Sequence, residues 1–135
     1  MLKILHIKKS SEFQKIGKKG DKFYSHTVLL LSATTPQNYF QNLEEKKLAK
    51  EFCRVGFTVA KTVSKLAVER NLAKRRLREA FRALAPIYAK NHRDYVVIAR
   101  KEILTANFQK IFGDLKFCLS KIHNSKENVT RNAKK

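Results

Sequence analysis

Counted from Asn71, the residues Lys74, Arg75, Arg78 and Arg82 follow at spacings of three, four, seven and eleven. On a helix these spacings place their side chains along one edge. Cations in such a strip suit phosphate chemistry: the planar fork of arginine matches paired phosphate oxygens, and lysine adds a point charge. Like charges so placed cost about 0.2–0.5 kcal/mol per pair in an isolated helix. Glu79 lies too far round to neutralise them, so a polyanion outside the chain is the expected partner. The plainer reading is a solvated outer face, the usual meaning of a charge run. The density of arginine and the near absence of acidic partners favour phosphate.

Bond-breaking chemistry is harder to find. A phosphodiesterase acting by itself needs clustered carboxylates around a metal, or a histidine acid and base pair. Asp21, Asp94 and Asp114 fall on three separate predicted elements, and His6, His26, His92 and His123 are equally scattered. Cys53 and Cys118 form neither a CxxC motif nor a ligand cluster and read as buried, reduced thiols. No self-contained protein active site is expected, and no metal is assigned to protein ligands.

The elements that must position the strip are a strand and a helix. From Arg54 to Lys61 the apolar residues Val55, Phe57 and Val59 alternate with smaller or polar ones, which predicts a strand with one buried face and Lys61 at its end. From Ala67 the period becomes helical. Ala73, Leu77, Ala80, Phe81 and Leu84 gather on an inward face, and Pro86 is expected to end the helix after Leu84.

Upstream, residues 1–9 read as a basic lead-in. Ser11 and Gln14 have capping-box spacing for a helix over Ser11 to Lys19, with Phe13 and Ile16 on one side, Lys15, Lys18 and Lys19 around them, and Gly20 as the stop. Lys22 to Ser32 reads as one strand carrying His26. The stretch 33–50 reads as an exposed insertion: Thr34, Thr35, Pro36 and Asn38 have turn chemistry, and Leu43 to Glu51 could form a helical turn or two. Downstream, Asp94 to Arg100 suits a strand covered on both faces in a parallel arrangement. Thr105 is expected to cap a core helix holding Phe108, Ile111, Phe112, Leu115, Leu119 and Ile122, and 123–135 reads as a disordered basic tail. Strand, helix, strand is then the central unit, for which a right-handed connection is the general rule.

A chain of 135 residues with 43% hydrophobic content supports one domain with one modest core. Its net charge of +19, from 30 basic and 11 acidic residues, points to nucleic acid or an anionic surface. A membrane is the weaker option, since no apolar stretch approaches the roughly 20 residues needed to span. Met1 to Ile7 lacks a long apolar centre and a cleavage site, so the cytoplasm is the expected location.

The run Arg54-x-Gly56, then Lys61, then Ala67-Val68-x-Arg70-Asn71-x-x-Lys74-Arg75-x-x-Arg78-Glu79-x-Phe81-Arg82 resembles the signature of the bacterial ribonuclease P protein component. Phe13 and Gly20 upstream and Asp94 to Arg100 downstream extend the resemblance over residues 10–122. Leu72 stands where many members carry a second arginine, Gly17 stands where a second aromatic is common, and 33–50 exceeds the usual connection. The resemblance implies an α+β fold: a single-domain α/β sandwich over 1–122 with a mixed sheet, like the second domain of a small-subunit ribosomal protein. It also implies a left-handed βαβ crossover, against the general rule.

For function it implies an accessory subunit. The active site then belongs to a partner RNA which, with Mg²⁺ bound mainly by that RNA, removes the 5′ leader of precursor tRNA. By the matched motif Lys61, Arg70, Asn71, Lys74, Arg75, Arg78 and Arg82 are assigned to the catalytic RNA. Phe13, Lys15, Lys18 and His26 are assigned to the leader, in a cleft between the first helix and the sheet. The protein is expected as a monomer, one copy per RNA. Two other readings use the same basic helix: a general structured-RNA or ribosome-associated protein, and a DNA-binding protein with Ala67 to Leu84 as recognition helix.

Overall fold

A computed structural model describes residues 3–7, 10–36 and 51–123 of the chain. Five strands form one mixed sheet: β1 (Lys3–His6), β2 (Asp21–Tyr24), β3 (Val28–Thr34), β4 (Phe52–Thr58) and β5 (Arg93–Ala99), in the order β1-β4-β5-β3-β2. β4 runs parallel to both β1 and β5, while β3 is antiparallel to β5 and β2. The helices are α1 (Ser10–Lys19), α2 (Ala67–Tyr88) and α3 (Phe108–Ile122).

Alternation along the central strands feeds two cores. Leu30, Val55, Tyr95 and Val97 point to the side covered by α2 and α3, where Leu77, Phe81, Leu84, Ile111, Leu115 and Leu119 meet them. Leu31 and Val96 point the other way, to Ile7 and to Ile16 of α1. Both faces of β4 are covered, and Phe52 through Gly56 are buried, so β4 is not the strand with one buried face that its alternation predicts.

The polar residue that makes this possible is Arg54. Its Nε and Nη2 donate to Asp94 of β5 at 2.8 and 2.5 Å, and its Nη1 lies 2.7 Å from Glu12 of α1. Asp94 also accepts from the Thr35 hydroxyl at 2.8 Å. Burial opposes the arginine's charge, but the hydrogen bonds and charges of Asp94 and Glu12 outweigh it and raise its pKa.

Other departures from the sequence reading have local causes. Residues 3–6 form an edge strand rather than a lead-in, held by parallel pairing to β4. The single strand expected over Lys22 to Ser32 is a hairpin. Its turn is fastened by buried Asp114 of α3, which accepts from the Thr27 N–H at 3.1 Å and the Thr27 hydroxyl at 2.7 Å. Helix α1 begins at Ser10, one residue before the expected cap.

Helix α2 continues through Pro86 to Tyr88, because burial of Leu84 and Ala85 in the core outweighs the lost hydrogen bond in its last turn. Helix α3 is capped by Asn107, whose side chain accepts from the Lys110 N–H, while Thr105 closes a short 3₁₀ turn instead. Of the insertion, 33–36 belongs to β3 and its exit, and the rest, with the expected turn near Leu43, lies outside the described residues, as does the tail beyond His123.

His123 itself is packed into the domain. Its Nε2 lies 2.6 Å from the Tyr95 hydroxyl, which accepts from the Lys90 N–H at 2.8 Å and so keeps its proton for the imidazole. Burial, then the charges of Arg93 and Lys90, lower the His123 pKa to about 4.

Replacing Arg54 with Met leaves Asp94 buried and uncompensated, and is expected to cost about 3–5 kcal/mol in urea unfolding. Because folding lowers the His123 pKa, the unfolded chain binds the proton more readily between about pH 6.5 and 4. Its contribution to stability is therefore lost as pH falls through that window. Melting temperatures recorded across that range should show a weaker pH dependence for His123→Gln.

Candidate nucleic-acid interface

Helix α2 owes its orientation to its apolar face. Ala73, Leu77, Ala80, Phe81 and Leu84 are buried as their spacing predicts, which turns the opposite side outward. Its start is tied by a local arrangement. The Ser64 hydroxyl donates to Glu69 in the first turn and accepts from the Leu66 N–H at 3.1 Å. The Arg70 guanidinium turns back to the Ser64 carbonyl at 2.9 Å, so this residue is half-buried in the junction rather than aligned with the strip.

Asn71, Arg75, Arg78 and Arg82 are exposed along the outer side of α2, and Lys74 is half-buried. Among the described residues none of these cations makes a salt bridge. Asn71, Lys74, Arg75 and Arg78 line a shallow hollow of about 500 Å³, together with Val68 and Leu72. Val68 is 80% exposed and Leu72 36%, so the hollow offers apolar surface beside the charge. Arg82 leaves this hollow and faces β1 across a second one, which Arg78 also borders. Lys61 is exposed in the turn between β4 and α2.

A second surface lies on the sheet face that carries α1. Cross-strand register puts Tyr24, Leu29, Ile98 and Thr58 in one row on that face. Tyr24 is exposed beneath the Arg100 guanidinium, which stands 5.5 Å from the ring centre. Leu29, Ile98 and Thr58 are half-buried, so this row remains partly open. Lys15 and Lys18 are exposed on α1.

Phe13 is half-buried and lies against β4, so close that a Cβ on Gly56 would stand 2.3 Å from its ring. It is therefore at once a packing residue and part of the wall of this trough. His26 is exposed in the β2–β3 turn, off the row. The sequence reading missed Tyr24, Arg100, Val68 and Leu72, although alternation in Phe23-Tyr24 marks Tyr24 as outward once Phe23 is inward.

Among the described residues no three His, Cys, Asp or Glu side chains come together as a metal site. The acids are occupied elsewhere: Asp94 with Arg54, Asp114 with Thr27 and Lys110, and Asp21 with Arg93. No described helix is long and apolar enough to cross a membrane.

The family model described as Ribonuclease P matches residues 1–123. The chain belongs to the ribonuclease P protein family. Relatives named as the ribonuclease P protein component include those of Paramagnetospirillum magneticum, 34% identical over 86% of this chain and 80% of the relative, and Exiguobacterium, 32% identical over 86% and 88%. A Caulobacter vibrioides relative is 48% identical over a shorter match that spans 49% of this chain and 44% of the relative's length. The solved RNase P protein of Staphylococcus aureus is similar with a TM-score of 0.66 and 27% identity, covering 84% of this chain and 91% of that one. That of Thermotoga maritima, at 23% identity over 87% and 96%, shares the fold with a TM-score of 0.69.

In this ribonuclease P family chain, Gly56→Ala is expected to push Phe13 off the sheet and cost about 1–3 kcal/mol in thermal or urea unfolding. The double change Gly56→Ala with Phe13→Ala should show strong coupling, because removing the ring removes the clash.

Proposed function

We propose that this chain is the protein subunit of ribonuclease P: it binds the catalytic RNA through α2 and the 5′ leader of precursor tRNA through the trough beside α1. The observation that carries the reading is the row of cations on the outer side of α2, without salt bridges among the described residues, in a chain of this family. Asn71, Lys74, Arg75, Arg78 and Arg82 contact the RNA's phosphates, Lys61 adds charge from the turn after β4, three residues beyond Thr58 rather than at the strand end that its sequence position predicts, and Arg70 braces the helix start while its remaining N–H groups face the same RNA. Neutralising phosphate lets two large RNAs approach each other, a gain that depends on salt.

The trough has the chemistry for a single strand. Tyr24 and Phe13 offer ring surface to bases, Lys15 and Lys18 offer charge to the backbone, and His26 lies at the margin. Gripping the leader favours precursor over mature tRNA, because the product lacks what is gripped. Asp21, Asp94 and Asp114 are held in internal pairs; Mg²⁺ would be held by the RNA, where it would activate water for hydrolysis. One protein per RNA, acting in the cytoplasm, completes the reading.

The test is reconstitution with the partner RNA at low Mg²⁺ and cleavage of precursor tRNA. The protein is expected to raise affinity and rate, and an absence of any effect would reject the proposal. Arg75→Ala and Arg78→Ala should each flatten the salt slope of binding to the catalytic RNA by about 0.7–0.9. Lys15→Ala with Lys18→Ala should weaken precursor binding and leave mature tRNA unchanged. If leader length makes no difference to affinity, a general RNA-binding role is favoured instead.

A further inference from the structure

Between β1 and α2 lies a hollow of about 120 Å³ whose β1 wall none of the assignments above uses. Its rim carries His6 from β1 and Arg78 and Arg82 from α2, and Val55, Phe57 and Phe81 form its floor. Phe57 and Phe81 meet edge to face, with ring centres 6.0 Å apart at 82°, so the floor is rigid and aromatic. Among the described residues neither guanidinium and no ring nitrogen of His6 has a hydrogen-bond or ionic partner. Three nitrogen-bearing side chains from two elements therefore ring an apolar base without being satisfied by the protein.

We propose that this hollow receives one unpaired nucleotide of the partner RNA, its base on the Phe57 side and its phosphate held by Arg78, Arg82 and His6. The inference rests on the reading of α2 as the RNA-binding helix and adds β1 to that surface. Three observations select this occupant. The volume suits a single base or phosphate and excludes a duplex. Donors around an aromatic floor match a nucleotide's anionic and planar parts. Arg78 borders both this hollow and the larger one nearer the start of α2, so one RNA backbone following the helix reaches both.

The hollow exists because β1 pairs with β4. The register His6 opposite Val55 and Ile4 opposite Cys53 puts His6 and Ile4 on the α2 side of the sheet. Ile4 closes the wall beside the floor. A chain lacking β1 would leave Phe57 and Arg82 at an open sheet edge, with no opposite wall.

The experiment uses reconstituted holoenzyme in which a photoactivatable aryl azide is attached at His6→Cys or, separately, at Lys74→Cys. Cys53 and Cys118 are buried, with pKa values pushed up to about 12 and about 11 by burial, so both remain unlabelled. The probe at position 6 is expected to mark a single unpaired nucleotide of the partner RNA. Ile4→Trp, which fills the hollow, should lower affinity for that RNA about tenfold at an unchanged melting temperature. A mark from position 74 with none from position 6 overturns the inference alone, as does a position 6 mark confined to the precursor's leader. No mark from either position overturns the reading of α2 together with the inference. Should Ile4→Trp fail to fold, the crosslinks decide.

Discussion

The buried guanidinium of Arg54 is the constraint from which the architecture follows. A charge in the centre of a sheet is tolerable only if every donor is met, and here Asp94 of the neighbouring strand and Glu12 of α1 meet it from two directions. The first contact fixes β4 against β5. The second fixes α1 over the sheet. Phe13 and Gly56 then lock the same helix by shape, one turn of contact further along β4. The trough beside α1 is the surface this double attachment leaves uncovered.

The placement of acids explains the placement of free cations. Glu12, Asp94, Asp114 and Asp21 are spent on internal ties: helix to sheet, strand to strand, and α3 to the β2–β3 turn. In a chain with 11 acidic residues against 30 basic ones, little negative charge is left for the outer side of α2. The helix thus presents positive charge that folding cannot neutralise, and its binding energy is available to a polyanion.

Much of this was legible in the residues. The inward face of α2 and the cationic strip follow from a helical period sustained over many turns, and the apolar run of β5 follows from burial on both faces. Other features were hidden for identifiable reasons. β1 is four residues long with only its middle half-buried, so no alternation distinguishes it from a lead-in. The hairpin turn at Ser25 to Thr27 carries no glycine or proline and is held by Asp114, 87 residues away from Thr27. His123 reads as the first residue of a polar tail, yet Tyr95 holds it in the domain. Pro86 carries a local stop signal that core burial overrides.

Residue type and spacing by themselves determined which helix bears the charge and which of its faces is buried. Those are properties of neighbours along the chain, set by periodicity. Only the tertiary structure decided where Arg54 finds its partners, that Phe13 rests on Gly56, and that His6 stands across from Arg78 and Arg82. Each of these joins residues from distant segments, and such pairs are fixed by sheet order and register, which no local pattern encodes.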